Sequence, residues 1–279
     1  MSTQPLRIGV FDSGVGGLTV LHALLPQIPL AEFIYLGDTA RLPYGSKSKA
    51  TIERYAMESA QLLVHYGAEY LVIACNTASA LALDAIRTAV PVPVLGVIET
   101  GAASAAAISK TRDVLVLATD ATVQSHAYAE ACAVRGLRAL EKACPLLVPL
   151  IEEGWTEHTV TAEVLGIYLQ EAAQEAAALH FTPDTVLLGC THYPLLRPLL
   201  ERTLPTSIPS VQILDSAEAM AGSVLLDLRA RGLLRSTPDL APASRCRFLA
   251  TDSVNKFRVL GSRFLGHPIE TVELIDLGG

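Results

Sequence analysis

Two cysteines stand in matching local sequence. Cys75-Asn76-Thr77-Ala78-Ser79 and Cys190-Thr191-His192-Tyr193-Pro194 each follow a short apolar run, 71–74 in one case and 186–189 in the other, and lie 115 residues apart. A cysteine between a strand and a helix start sits at the positive end of the helix dipole, which favours the thiolate, the form that acts as base or nucleophile. His192, two residues from Cys190, adds a group that exchanges protons near neutral pH. Three chemistries are open to such a set. The two thiols can transfer protons, Cys190 can attack as a nucleophile with His192 as base, or Cys75, Cys190 and His192 can join an Asp around a metal. Cys132, Cys144 and Cys246 read as ordinary buried apolar residues.

Further polar residues fall where strands are expected to end. Phe11-Asp12-Ser13-Gly14-Val15-Gly16-Gly17 follows the first apolar run and opens a helix near Leu18. Its glycines allow close backbone approach and its free N–H groups attract anions. It is neither G-x-G-x-x-G nor a phosphate-binding G-x-x-x-x-G-K-[ST] loop, so nucleotide binding has little support. Gly37-Asp38-Thr39-Ala40-Arg41-Leu42-Pro43-Tyr44-Gly45 reads either as a turn with a capping Asp or as a loop offering amides and the Tyr44 hydroxyl. Glu152, of Ile151-Glu152-Glu153-Gly154, is expected to end a strand over 145–151. Thr119 is expected to contact a ligand and Thr122 to cap a helix.

The elements that position these groups follow from the patterning. Apolar runs at 7–12, 33–36, 70–75, 92–97, 113–118, 145–151, 185–189, 210–214 and 246–250 have strand length and near-continuous hydrophobicity, as in parallel strands covered on both faces. Helical spacing occupies 46–66, 78–89, 122–135, 158–179 and 216–231, giving the alternation of an α/β protein. The order repeats: 8–11 corresponds to 114–117, 33–37 to 146–150, and 71–77 to 186–192. The expected fold is therefore α/β, with two pseudo-symmetric doubly wound parallel-sheet domains and the active site in the crevice between them. The first domain is expected over 1–97 plus 210–279 and the second over 98–209.

Composition narrows the classes. The chain has 279 residues, 51% hydrophobic and 18% charged, with net charge −7 and mean hydropathy +0.39. That is too apolar for disorder, and no run approaches the about 18 apolar residues of a membrane span. The acidic balance argues against a nucleic-acid surface. Five cysteines without a C-x-x-C pair form no disulfide framework or zinc ribbon, and no export signal precedes the first strand, so a cytoplasmic protein is expected.

Taken together, Asp12-Ser13-Gly14-Val15-Gly16-Gly17, Pro43-Tyr44-Gly45, the two cysteine motifs and Glu152-Glu153-Gly154 resemble the motifs of the aspartate/glutamate racemase family, in the family's order, and most closely its glutamate racemases. The resemblance implies a cofactor-independent, metal-free enzyme that interconverts L- and D-glutamate and supplies D-glutamate for peptidoglycan, commonly as a homodimer. It implies Cys75 and Cys190 as catalytic thiols, Cys190 acting on L-glutamate and Cys75 on D-glutamate, assisted by Asp12, Glu152 and His192. It further implies substrate contacts from Asp12, Ser13, Tyr44, Gly45, Asn76, Thr77, Thr119, Thr191 and His192. A racemase for aspartate, a cysteine hydrolase built on Cys190 and His192, and a metal-binding module are the competing readings.

Overall fold

The structure is a computed structural model and describes residues 4–234 and 245–277. The chain divides into two compact units, one comprising the residues up to Val97 with those from Met220 onward, the other Ile98–Ala219.

The first unit begins β1 (Arg7–Asp12), α1 (Leu18–Gln27), β2 (Glu32–Gly37), α2 (Lys49–His65), β3 (Tyr70–Ile73), α3 (Asn76–Ala89) and β4 (Val94–Gly96). The chain then enters α4 (Val97–Ile108), whose first residue is the last of this stretch. The second unit continues with β5 (Asp113–Ala118), α5 (Asp120–Gln124), α6 (Ala127–Ala133), β6 (Arg138–Ala143), α7 (Leu147–Glu152), α8 (Thr159–Ala178), β7 (Thr185–Gly189), α9 (Arg197–Ser207) and β8 (Gln212–Asp215). Within α10 (Ser216–Ala230) the chain returns to the first unit, where β9 (Cys246–Ala250), α11 (Val254–Leu265) and β10 (Glu273–Leu274) complete it. Residues 210–219, expected in the first domain, cluster instead with the second unit because β8 pairs with β7 and completes its sheet.

Among the described residues every strand pairing is parallel. One sheet has the order β10-β9-β2-β1-β3-β4 and the other β6-β5-β7-β8. The second order repeats the β2-β1-β3-β4 part of the first, and the register repeats with it. Ile8 lies opposite Tyr70 where Val114 lies opposite Thr185, so β1 matches β5 and β3 matches β7 as the sequence repeat requires. The third correspondence is corrected. Ile8 lies opposite Phe33 and Val114 opposite Ala139, so the counterpart of β2 is β6 and not 146–150.

The expected strand over 145–151 is helix α7. Its buried residues are Leu147 and Ile151, one helical turn apart, and Pro149 would leave a gap in any strand ladder. The true strand, β6, is an edge strand in which Leu140 alone is buried, so it lacks the apolar run of a covered strand.

The central strands are buried along almost their whole length, which accounts for the high apolar content. In the first unit Phe11, Leu36, Leu71 and Ile73 pack against Ile52, Ala56, Leu63 and Ala82 of α2 and α3. Small residues on these helices let them lie close to the sheet.

The second unit has a polar anchor at the amino end of β7. Asp184 accepts from the Ser109 hydroxyl at 2.7 Å, from the Lys110 and Thr111 N–H groups at 2.6 and 3.0 Å, and from the Thr185 hydroxyl at 3.0 Å. Burial pushes this carboxyl up, but the donors outweigh burial and bring it to about 2 from 3.8. A depressed folded-state value contributes stability in full above the unfolded pKa and loses it as pH falls from about 3.8 toward 2. Asp184→Ala is therefore expected to cost about 1–2 kcal/mol near neutral pH. Urea melts of the two proteins should converge as the buffer is taken toward pH 2.

Candidate active site

In the first unit the site grows from the carboxyl ends of β1 and β3. Asp12 ends β1 and is 1% exposed, and its Oδ2 accepts the Gly14 N–H at 2.8 Å, which folds Asp12-Ser13-Gly14 into a tight turn. The Gly14 carbonyl in turn accepts the Tyr35 hydroxyl at 2.9 Å. A Cβ on Gly37 would lie 2.3 Å from that same carbonyl, and one on Gly17 would lie 2.6 Å from the Asp12 Cβ. Gly37 is required because backbone passes against backbone there, and Gly17 because the Asp12 and Ala74 side chains already occupy the place of a Cβ.

Cys75 follows β3 and occupies the N-cap position of α3. Its Sγ accepts the Ala78 N–H at 3.4 Å and donates to the Ser13 Oγ at 3.4 Å, and the residue is 5% exposed. Burial pushes the thiol up and the neighbouring Asp12 carboxylate adds to it; the Ser13 and Ala78 donors pull back, and the balance stands at about 11. The helix start thus acts only as a counterweight, and the resting residue is a thiol rather than the thiolate expected from the dipole alone. Asn76 and Thr77, the first two residues of α3, are buried beside it.

Asp12→Asn removes one of the two raising causes with little change of shape. The carboxamidomethylation rate of Cys75, followed by peptide mass spectrometry, is expected to rise at lower pH than in the wild type. An unchanged profile would leave burial as the sole cause.

The loop after β2 is organised by Asp38, which is fully buried. Its Oδ2 accepts from the Tyr44 hydroxyl at 2.5 Å and from Arg41 Nε at 2.7 Å, and its Oδ1 accepts the Thr251 hydroxyl at 3.0 Å. Arg41 also pairs with Glu58 and stacks over the Tyr55 ring at 4.2 Å. Burial and then Asp38 push the Tyr44 phenol well above its ordinary value. The Tyr44 side chain is thus committed to the loop's own structure, and the part of Tyr44 and Gly45 left to meet a ligand is backbone. Asp38 was legible only as a capping residue; the Arg three positions later is the signal that it instead holds a buried ion pair.

In the second unit Cys190 follows β7 and is also 5% exposed. Thr119 and Cys190 each come directly after one of the register partners Ala118 and Gly189, so both lie at the carboxyl edge of the same strand pair. Thr119, not Thr122, holds the N-cap position of α5; Thr122 lies inside the helix, and the two hydroxyls share a hydrogen bond of 2.9 Å. Next to Cys190, the Thr191 hydroxyl meets His192 Nδ1 at 3.4 Å and His192 Nε2 meets Glu152 Oε1 at 3.3 Å. His192 is 9% exposed. Glu152 is the last residue of α7, not the end of a strand, and the helix brings it to the imidazole.

Each unit thus has a buried cysteine beyond a strand end. Asp12, Ser13 and Cys75 are brought together in one, and in the other Glu152 and Thr191 both meet His192, two residues after Cys190. Among the described residues, no group of three or more His, Cys, Asp and Glu side chains is placed to hold a metal ion, and no helix is long and apolar enough to cross a membrane.

The chain is similar to known proteins. The Asp/Glu/Hydantoin racemase family model matches residues 18–224, a span that includes Cys75, Glu152, Cys190 and His192. A glutamate racemase of Koribacter versatilis is 51% identical, with all of both chains covered. The solved structure of a glutamate racemase isoform from Bacillus anthracis superposes with a TM-score of 0.89 at 33% identity over 99% of each chain. That of the Francisella tularensis glutamate racemase in complex with D-glutamate gives 0.84 at 33% identity, again over 99% of each chain.

Proposed function

Because this chain belongs to the Asp/Glu/Hydantoin racemase family, and within it to the glutamate racemases, we propose that it interconverts L- and D-glutamate by two-base proton transfer at the α-carbon, with Cys75 and Cys190 as the bases and no cofactor. The observation that carries this reading is the equivalence of the two thiols. Cys75 and Cys190 follow β3 and β7, strands that occupy the same place in the two sheets and share the same register to their neighbours.

Racemisation removes the α-proton from one face of a carbon that becomes planar and returns a proton to the other face. It therefore needs an acceptor and a donor at once. In the L-to-D direction Cys190 takes the proton and Cys75, as a thiol, gives one. The raised pKa of Cys75 keeps its proton in place for this step. In the D-to-L direction the roles exchange, and Cys75 must first lose its proton. At pH 7 a group titrating at about 11 is ionised in only about one molecule in ten thousand. Asp12 is the neighbouring carboxylate that accepts this proton, at the cost of the repulsion it adds once the thiolate forms.

Glu152 and His192 serve Cys190 in the same way, with Glu152 holding the imidazole in place. Negative charge that develops on the α-carboxylate is met by donors from Asn76, Thr77 and Thr191, which are buried and so act where water does not screen them. Ser13, Thr119 and the Tyr44–Gly45 backbone complete the proposed substrate contacts. Hydroxyls and N–H groups rather than an arginine clamp then hold the two carboxylates of glutamate.

The hydrolase alternative needs His192 to activate Cys190. It leaves Cys75, which holds the equivalent strand-end place in the other unit, without a role. Under our reading the D-glutamate feeds peptidoglycan synthesis and the enzyme acts in the cytoplasm as a homodimer.

The test is a circular dichroism assay on L-glutamate, D-glutamate and both aspartate enantiomers, with no pyridoxal phosphate present. Loss of optical signal from both glutamates and neither aspartate is the expected result. Racemisation of aspartate in preference would reassign the substrate, and inertness toward all four would refute the reading.

A further inference from the structure

Each of the two cysteines has its carbonyl held by the N–H of a residue whose hydroxyl is anchored on strand ends. In the first unit this residue is Ser79. Its N–H donates to the Cys75 carbonyl at 2.9 Å, its hydroxyl donates to the Ile73 carbonyl at 3.0 Å, and its Oγ accepts the Val97 N–H at 3.3 Å. Ile73 is the last residue of β3, and Val97 is the first of α4, where the chain leaves the unit. One buried hydroxyl thus ties together the strand that delivers Cys75, the helix that Cys75 caps and the segment leading out.

In the second unit the residue is Tyr193. Its N–H donates to the Cys190 carbonyl at 3.1 Å, and its hydroxyl is shared between the carbonyls of Ala118 at 3.2 Å and Cys144 at 3.0 Å. Ala118 ends β5 and Cys144 directly follows β6. Ser79 and Tyr193 are 5% and 1% exposed, and neither is among the proposed substrate contacts.

The sulfur atom of Cys75 cannot set its own position. Its hydrogen bonds to Ser13 and Ala78 are both 3.4 Å long and involve sulfur, a weak donor and acceptor. The direction of the Cα–Cβ bond must therefore be fixed through the backbone, and in both units the backbone next to the cysteine is fixed by a hydroxyl. We propose that Ser79 and Tyr193 are positioning residues, one for each cysteine, that aim Cys75 and Cys190 at the α-carbon by clamping their carbonyls to the strand ends. The proposal rests on the racemase reading above. Proton transfer is sensitive to such aim, since a displacement of about 1 Å can cost about 10²-fold in rate.

The experiment compares wild type, Ser79→Ala, Ser79→Cys, Tyr193→Phe and a control, Thr88→Ala. Thr88 lies on the exposed side of the same helix α3 and bonds only the Asp84 carbonyl one turn back. Both directions are assayed with glutamate carrying protium or deuterium at the α-carbon. The two unit-specific changes should lower kcat about ten- to hundredfold with little change in KM, and the control should match wild type.

The isotope effects separate aim from general damage. Ser79→Ala should raise the isotope effect on D-glutamate, whose proton Cys75 removes, more than that on L-glutamate. Tyr193→Phe should do the reverse. Should Ser79→Ala fail to fold, Ser79→Cys keeps the size and a weaker donor and carries the same expectation. Isotope effects that change equally in both directions, or kcat values that follow only the folded fraction, would overturn the positioning roles alone. A wild-type chain that does not exchange the α-proton would overturn the racemase reading and this proposal with it.

Discussion

Cys75→Ala and Cys190→Ala are each expected to lower racemisation by about 10²–10⁴-fold in both directions, the usual scale for losing an acid or base in the transition state. Both directions suffer because each turnover uses one thiol to take a proton and the other to give one. The two variants should nevertheless differ in what they retain. With Cys75 gone, Cys190 can still remove the α-proton of L-glutamate, exchange it with solvent and return a deuteron to the same face, so L-glutamate continues to wash in solvent deuterium while D-glutamate does not. With Cys190 gone the pattern reverses. Neither change should unfold the chain, since each removes a single buried sulfur whose polar contacts, at least for Cys75, are long. Proton magnetic resonance of each enantiomer in deuterated buffer reads the exchange, and thermal melts followed by circular dichroism read the fold. A single cysteine variant that still racemises near the wild-type rate would remove that thiol from the mechanism.

Asp38→Ala is expected to have the largest effect on stability, about 3–5 kcal/mol, the range for stripping one partner from a buried ion pair. Asp38 is fully buried and the Arg41 side chain is 11% exposed, so water cannot replace what is lost. The substitution also removes the acceptor for the Tyr44 and Thr251 hydroxyls. Thr251 accepts the Ala40 N–H at 2.8 Å, and Thr39 exchanges hydrogen bonds with Asp252, so the same loss loosens the clasp between the loops that follow β2 and β9. A drop of roughly 6–20 °C in melting temperature corresponds to this cost in a unit of this size. Asp38→Asn keeps two of the acceptor positions in shape and should lose less. Because the Tyr44–Gly45 backbone rides on this loop, KM for glutamate should rise in Asp38→Asn at temperatures where the protein remains folded. A melting temperature within a few degrees of wild type in Asp38→Ala would mean that Glu58 and the Tyr55 ring satisfy Arg41 by themselves.

Where strands are covered on both faces, the sequence carries their signature directly. The runs at 7–12, 113–118, 185–189 and 246–250 coincide with β1, β5, β7 and β9 because their buried residues are almost all apolar. The edge strand β6 buries only Leu140, and its Arg138-Ala139-Leu140-Glu141-Lys142-Ala143 pattern is indistinguishable from a surface segment. The leucine-rich stretch after it then looks like the missing strand. The same likeness makes 146–150 look like the counterpart of 33–37, a place the register gives to β6.

The two cysteine motifs were legible because a strand, a cysteine and small polar residues recur at the same place. The electrostatics of Cys75 was not. The dipole of α3 is visible in the sequence, but the burial and the proximity of Asp12 that outweigh it depend on how β1 and β3 are paired. The hydroxyls divide in the same manner. That of Tyr44 falls in a loop that could offer it to a ligand, but the ring is buried against Phe11 and Tyr55 and the oxygen lies on Asp38. Ser79 and Tyr193 lay inside the motifs, yet their partners come from strand ends distant in sequence, which no local spacing reveals.

The central claim is that two different thiols act on opposite faces of one α-carbon, and isotope placement at early times tests it most directly. Wild-type protein is incubated with α-protio L-glutamate in deuterated water, without pyridoxal phosphate, and the two enantiomers are separated after a few per cent of reaction. The account predicts D-glutamate that carries deuterium at the α-carbon while the remaining L-glutamate still carries protium, because the proton leaves on one sulfur and its replacement comes from the other. Protium retained in the D-glutamate, or deuterium entering L-glutamate as fast as D-glutamate forms, would mean a single base serving both faces and would contradict it.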